Sequence, residues 1–419
     1  MEGLDSSFKQ GGSEMSTETN RSRRESWAEA VKPILEAVES NGDEALLEFT
    51  KKFDGVDVIE TVDLTAFTPP EAYGELTEAL TLAAKRIRTF HERQRRQDDA
   101  YEDGMFRLGR RFMPLDSVGV YVPGGTAVYP SSVLMNVIPA KVAGVKRIVM
   151  VTPPKPDGID LSLLIAAKIA GADECHLVGG AQAVAALAFG TETIKPVDKI
   201  VGPGNAYVAT AKSLVSHIVG IDSVAGPSEV LIIADETANP KWVAADLLAQ
   251  AEHDVEATAL ALVTSVELAE RIEQELARQL AELPRRDIAV EALKRGGVRI
   301  MSSERAIEVA NEMAAEHVQL AVSDPEDYMQ AIRHGGSFFL GHEAAEAFGD
   351  YIAGPNHVLP TSGTARFSSG LSVDDFYRRQ TFLQMTELDE RVTRAAIRIA
   401  QQEQLDGHAR AMAVRLEDV

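Results

Sequence analysis

Hydrophobic and polar positions change rhythm several times along the 419 residues. Residues 1–25 are polar and aperiodic, which predicts a disordered tail. From Trp27, apolar residues keep to one helical face (Val31, Ile34, Leu35, Val38), break at Asn41-Gly42 and resume at Leu46, Leu47 and Phe49. A further helix is predicted over roughly 75–96, with Leu76, Leu80, Ala83, Ile87 and Phe90 inward. Between 117 and 217, short apolar runs end in glycine or proline and give way to Ala-rich helical stretches. The runs are SVGVYV before Pro123-Gly124-Gly125, RIVMVT before Pro153-Pro154, CHLV before Gly179-Gly180 and KIV before Gly202-Pro203-Gly204. Strand, turn and helix repeated in this way predict parallel βαβ units, whose ligands bind beyond the carboxyl ends of the strands. A second such texture follows: EVLIIAD at 229–235 and TALALVT at 258–264 bracket a helix over roughly 240–253, and SFFLG at 337–341 reads as another strand. Residues 375–419 return to helix through Leu388, Val392, Ala396 and Ile399.

These patterns predict an α/β fold of two Rossmann-like domains with parallel sheets, plus a helical C-terminal arm. Because helical segments flank the first βα block on both sides, residues 26–120 and 229–371 are expected to form one discontinuous domain. Residues 121–228 then form a second, and 372–419 the arm.

Composition narrows the chemistry. Cys175 is the single cysteine, so an intrachain disulfide and a thiolate zinc site are both excluded, and any metal must sit on His, Asp, Glu or amide oxygen. No window approaches the ~20 apolar residues of a membrane span, and the N-terminus lacks the apolar core of a signal peptide, so a cytoplasmic protein is expected. The net charge of −22 disfavours nucleic acid or an anionic membrane as partner. An anionic cofactor stays possible, because a few local backbone donors can bind a pyrophosphate against the global field.

Three glycine-bounded turns carry residues able to handle a dinucleotide: Tyr121, Gln182 in GGAQA, and Asn205 in GPGNA. The strict GxGxxG fingerprint is absent, and spacing alone leaves open that these glycines merely end strands. Of the nine histidines, His91, His176, His217, His334 and His342 sit beside helical charge or in strand context and are read as structural. His253 stands three residues after Gln250 on one helix face, His317 follows Glu316, His357 lies in the turn-rich GDYIAGPNHVLPT after Asp350, and His408 follows Glu403. Gln250, His253, Asp350 and His408 together make a ligand set suited to Zn²⁺. Their mutual proximity does not follow from spacing.

SVGVYVPGG, LVGGAQAVAALAFGTETI, DKIVGPGNAYVATAK, AGPSEVLIIADE, DLLAQAEHD, EHVQL and GDYIAGPNHVLPTSGTARFSSGLSVDDF, in this order from about Asp43 to His408, resemble the motif set of the histidinol dehydrogenase family. The resemblance implies a zinc- and NAD-dependent oxidation of L-histidinol to L-histidine through a bound aldehyde. It also implies a homodimer whose C-terminal arm completes the partner's site. Zinc ligands fall on Gln250, His253, Asp350 and His408, and the acid/base pair on Glu316 and His317. Substrate contacts fall on Ser228, His357 and Glu403, together with His317, Asp350, Gln250, His253 and His408. NAD contacts fall on Tyr121, Gln182 and Asn205, while Glu403 and His408 are supplied across the dimer. Two alternatives remain: a related zinc- and NAD-dependent dehydrogenase acting on a sulfonated diol, and a zinc hydrolase that uses Glu316 as base.

Overall fold

The structure, a computed structural model, describes residues 13–124, 128–156, 158–224 and 226–417, with the backbone alone for 13–24. In chain order it opens with α1 (Ser13–Asp54), β1 (Thr61–Asp63), α2 (Gly74–Glu92), β2 (Asp99–Asp103), β3 (Phe106–Pro114) and β4 (Ser117–Tyr121). Then come α3 (Pro130–Ala143), β5 (Arg147–Thr152), α4 (Leu161–Ala170), β6 (Glu174–Leu177), α5 (Gly180–Phe189), β7 (Lys199–Val201), α6 (Ala206–Val215) and β8 (Gly220–Ile221). The next stretch holds β9 (Glu229–Ala234), α7 (Pro240–Ala251), β10 (Thr258–Val263), α8 (Val266–Leu280), α9 (Arg286–Leu293), β11 (Gly297–Ile300), α10 (Ser303–Met313), β12 (His317–Ala321), α11 (Pro325–Ala331), β13 (Ser337–Leu340) and α12 (Glu346–Tyr351). Last are β14 (Tyr377–Met385), α13 (Glu390–Gln402) and α14 (Asp406–Glu417).

Two sheets carry the larger unit, residues up to Gln94 with Leu115–Phe376. One runs β1-β6-β5-β4-β7-β8, parallel except for β1, which lies antiparallel to β6; the other, β11-β10-β9-β12-β13, is parallel throughout. Both parallel sets have the doubly wound order expected of Rossmann-like domains. Their central strands carry continuous apolar runs, such as Ile148–Val151 and Val230–Ala234, because helices cover both faces. On the second sheet, Val230, Ile232 and Ala259 pack one way against Leu247, Leu268 and Ile272, while Leu231, Ile233 and Leu320 pack the other way against Ala306 and Val309. Among the described residues, no helix is long and apolar enough to cross a membrane.

Several boundaries differ from expectation. Residues 13–25, assigned to a disordered tail, begin α1, and residues 1–12 lie outside the described residues. The break foreseen at Asn41-Gly42 is a kink, Gly42 adopting φ 54° and ψ −130° within α1. In α2 the buried stripe passes from Ile87 to His91, leaving Phe90 on the exposed side. The grouping of 26–120 with 229–371 is not the one observed. Val31, Ile34, Leu35 and Val38 of α1 instead share a core with Val149, Val151, Ala183, Val184 and Leu187, and β1 extends the first sheet. The small alanine side chains of α5 let α1 approach closely, so its apolar stripe buries against residues 121–228.

The smaller unit, Arg95–Pro114 with Tyr377–Val419, is not purely helical as the arm was expected to be. β14 pairs antiparallel with β3 over nine residues, from Tyr377 opposite Pro114 to Met385 opposite Phe106, and β2 pairs with the other edge of β3. Asp389 caps α13 by accepting the Val392 amide at 2.9 Å. Thr393 and Ala400 are the buried positions of that helix, whereas Val392 and Ile399 of the anticipated apolar stripe are exposed.

Candidate active site

The loops at the carboxyl ends of the first sheet carry Tyr121, Gln182 and Asn205. Tyr121 ends β4 and is buried; its hydroxyl accepts the Gly180 amide at 3.1 Å, tying this strand to the glycine turn after β6. Burial raises its phenol to about 12. Gln182 lies in the first turn of α5, buried, with neither amide atom partnered. Asn205 caps α6, its Oδ1 accepting the Tyr207 and Val208 amides at 3.1 Å each, while the residue itself is exposed. Gly202 precedes it at φ +106°, where a Cβ would collide with the Tyr121 carbonyl oxygen. Helix N-termini collect here, which favours an anion. Residues 125–127 of the first glycine loop lie outside the described residues.

A second cluster forms at the amino ends of the second sheet. Glu316 stands immediately before β12 and His317 is its first residue. Neighbours within a strand would face opposite ways. Here one peptide position of β9 holds both: the Glu229 amide donates to Glu316 Oε2 at 3.0 Å, and His317 Nδ1 donates to the Glu229 carbonyl at 3.2 Å. A carbonyl can only accept, so Nδ1 carries the proton in the neutral ring and Nε2 keeps its lone pair. His317 Nε2 is buried without a hydrogen-bond partner and lies 3.8 Å from Asp350 Oδ1. Ser228, partly buried, directly precedes this strand.

Gln250 closes the last turn of α7, fully buried, with both amide atoms unpartnered. His253 follows two residues beyond the helix end, its amide donating to the Gln250 carbonyl at 3.2 Å. Across from them α12 presents Glu346 and Asp350 one turn apart on one face. His253, Glu346 and Asp350 each place a ligand atom within 4.8 Å of the others. Glu346 was not singled out by the sequence reading. It is 3% exposed, with Oε1 3.7 Å from His317 Nδ1. The Glu346-x-x-x-Asp350 spacing was the available signal.

His357 is fastened twice, Nδ1 donating to the Asp350 carbonyl at 2.9 Å and Nε2 accepting from Ser132 Oγ of α3 at 3.2 Å. Its loop is held by Asn356, which donates to the Met135 carbonyl at 2.7 Å and to buried His91 Nε2 at 3.3 Å. His91 and Ser132 thus support the site, a role sequence reasoning did not give them. A cavity of about 220 Å³ opens beside His317, Asp350 and His357, walled by Phe338, Phe339 and Phe348.

Burial sets the electrostatics. It raises Glu316 to about 8, Asp350 to about 7 and Glu229 to about 7, and drives Glu346 well above the usual carboxylate range, with Asp350 and Glu316 adding to the effect. It lowers His317 to about 3 and His357 to about 4, and lowers His253 as well. Among the described residues, no Lys or Arg ion-pairs with Glu316, Glu346 or Asp350. Crowded carboxyls, neutral imidazoles and an unpartnered amide at a helix C-terminus fit a divalent cation with nitrogen and oxygen ligands. Glu403, at the end of α13, and His408, in α14, are exposed and belong to the smaller unit.

A glycine-turn edge on one doubly wound sheet and a buried imidazole–carboxylate cluster on the other suit a dinucleotide-using enzyme, and family membership makes it an oxidoreductase acting on a CH–OH group. The profile of the family described as histidinol dehydrogenase matches residues 17–416, and the chain belongs to that family. It is 52% identical over 396 residues to a Bacillus cereus histidinol dehydrogenase, covering 93% of this chain and 92% of that protein. A Listeria innocua histidinol dehydrogenase is 48% identical over 414 residues, covering 97% and 96%. The crystal structure of histidinol dehydrogenase from Elizabethkingia anophelis superposes with a TM-score of 0.88 at 39% identity, covering 93% of this chain and 92% of that one.

Proposed function

We propose that this protein oxidises L-histidinol to L-histidine in two steps with NAD⁺ and zinc, as a homodimer in which Glu403 and His408 complete the neighbouring subunit's site. The observation that carries the reading is the pinning of Glu316 and His317 to one peptide position beside the unpartnered Gln250 amide and the His253, Glu346 and Asp350 cluster.

When bound, NAD supplies the hydride acceptor and zinc a Lewis-acidic anchor for the substrate's nitrogen donors. Tyr121, Gln182 and Asn205 hold the dinucleotide; Gln250, His253, Asp350 and His408 hold the metal. His317 Nε2 takes the alcohol proton as the carbinol hydrogen leaves with its electron pair, and the Glu229 carbonyl keeps the ring in the tautomer this requires. Glu316 then takes a proton from the water that adds to the aldehyde, preparing the second oxidation. Its carboxyl is raised to about 8 by burial, and the form that acts as base is the ionised one. Ser228, His357 and Glu403 orient the substrate, and the apolar walls exclude water from the aldehyde stage. Among its described residues, the lining of the cavity includes no Lys or Arg, which favours an imidazole- and amine-bearing substrate over a sulfonate.

The test is absorbance at 340 nm with purified zinc-loaded protein, NAD⁺ and L-histidinol. Two NADH per histidinol are expected. No NADH with histidinol, and turnover of a sulfonated diol instead, overturns the assignment. Mixing inactive His317→Asn and His408→Asn proteins recovers activity if the site is shared between subunits.

A further inference from the structure

Lys212 and Asp222 form a buried ion pair outside the catalytic cluster, with side chains 3% and 5% exposed. Lys212 Nζ bonds Asp222 Oδ1 and also donates to the Gly202 carbonyl at 2.9 Å; Asp222 Oδ2 accepts the Gly202 amide at 2.7 Å. Both polar groups of the Gly202 peptide position are therefore held by charged side chains. Gly202 is the first residue beyond β7, where the sheet ladder stops and φ turns to +106°, so these groups need other partners. Three residues later Asn205 is fixed by its own cap on α6, the helix that carries Lys212.

We propose that the Lys212–Asp222 pair is a positioning clip that sets the Gly202-Pro203-Gly204-Asn205 loop for the dinucleotide; this rests on the reading of Asn205 as an NAD contact. A buried ion pair is a weak stabiliser, since desolvation offsets most of its attraction and apolar replacements of similar volume are often neutral. What the charges supply is direction: they orient the Gly202 amide and carbonyl and so aim the loop that follows. The pair acts on cofactor binding through Gly202 and touches neither substrate nor metal candidates.

The experiment compares Lys212→Met, Asp222→Asn and the double variant Lys212→Met/Asp222→Leu in zinc-loaded protein, using initial rates, calorimetric titration with NAD⁺ and thermal melting. The clip predicts that KM and Kd for NAD⁺ rise about tenfold while kcat and the KM for L-histidinol stay within about twofold. The double variant leaves the buried Gly202 amide and carbonyl unpartnered and should melt below wild type while staying folded. NAD⁺ affinity unchanged in a folded variant, or parallel loss of NAD⁺ and histidinol affinity, overturns the proposal. So does insolubility of all three variants, which makes the pair a folding requirement. Wild-type protein that does not bind NAD⁺ removes the cofactor reading itself, a result distinct from wild type and variants binding equally well.

Discussion

The two sheets of the larger unit share a strand order, β6-β5-β4-β7-β8 in one and β11-β10-β9-β12-β13 in the other, yet they use opposite edges. On the first, the candidate residues lie beyond the carboxyl ends of the strands, as doubly wound sheets ordinarily arrange. On the second, Glu316, His317, Gln250 and His253 gather at the amino ends. At the carboxyl edge of that sheet the Asp235 side chain accepts the Thr237 amide at 3.0 Å and the Ser323 amide at 2.8 Å. The difference follows from the helix dipole. Helices run antiparallel to their strands, so the carboxyl edge gathers helix N-termini and suits a pyrophosphate, whereas the amino edge gathers C-termini and suits a cation. One strand order thus offers an end that favours an anion and an end that favours a cation.

The largest effect should separate the edges by rate. His317→Asn is expected to lower kcat by about 10²–10⁴ with zinc content, measured by atomic absorption, unchanged; zinc loss would make His317 part of the metal site. Next, Asn205→Ala should raise the KM for NAD⁺ by about tenfold with kcat nearly unchanged. A matching fall in kcat would show that the first edge also shapes the chemistry.

A third comparison uses pH on metal-free protein. Glu316 and Asp350 have folded-state values above their ordinary ones, so their folded forms hold protons the unfolded chain releases, and stability falls as pH rises toward 8. His317 and His357 are depressed, so their contribution is complete above an ordinary histidine's range and is lost on acidification. Between pH 6.5 and 8 the carboxyls therefore decide the sign. Melting should drop by roughly 2–4 °C in metal-free protein, less in Glu346→Gln and not at all with zinc added. A flat metal-free profile would remove the carboxyl cluster as the cause. The smallest effect is Cys175→Ser: this thiol is buried in β6 and pushed up by burial, so activity should equal wild type, and any loss of turnover would implicate it.

Sequence revealed the parallel sheets because strands covered on both faces carry continuous apolar runs, as IVMV within RIVMVT and VLIIA within EVLIIAD show. The β2-β3-β14 sheet was hidden, since FRLGRRFMP and YRRQTFLQM carry exposed arginines and pair only across a long separation. The stripe on α1 announced burial but could not say against which sheet. At the site, ligand chemistry and the family motifs pointed to Gln250, His253, Glu316, His317 and Asp350. Glu346 was passed over because an acidic residue on a short helix ordinarily faces water, and only tertiary packing, His317 included, removes that water. His91 took the buried place expected of Phe90 because its two ring nitrogens both find partners, Ile87 and Asn356.

The Glu229 peptide position has a kinetic meaning beyond its hydrogen bonds. Its amide and carbonyl fasten the two groups proposed for the two oxidation steps. Any displacement of that strand end carries Glu316 and His317 as one body. In the proposed reaction the spacing that serves the alcohol is handed unchanged to the aldehyde, and only the dinucleotide has to be exchanged between them.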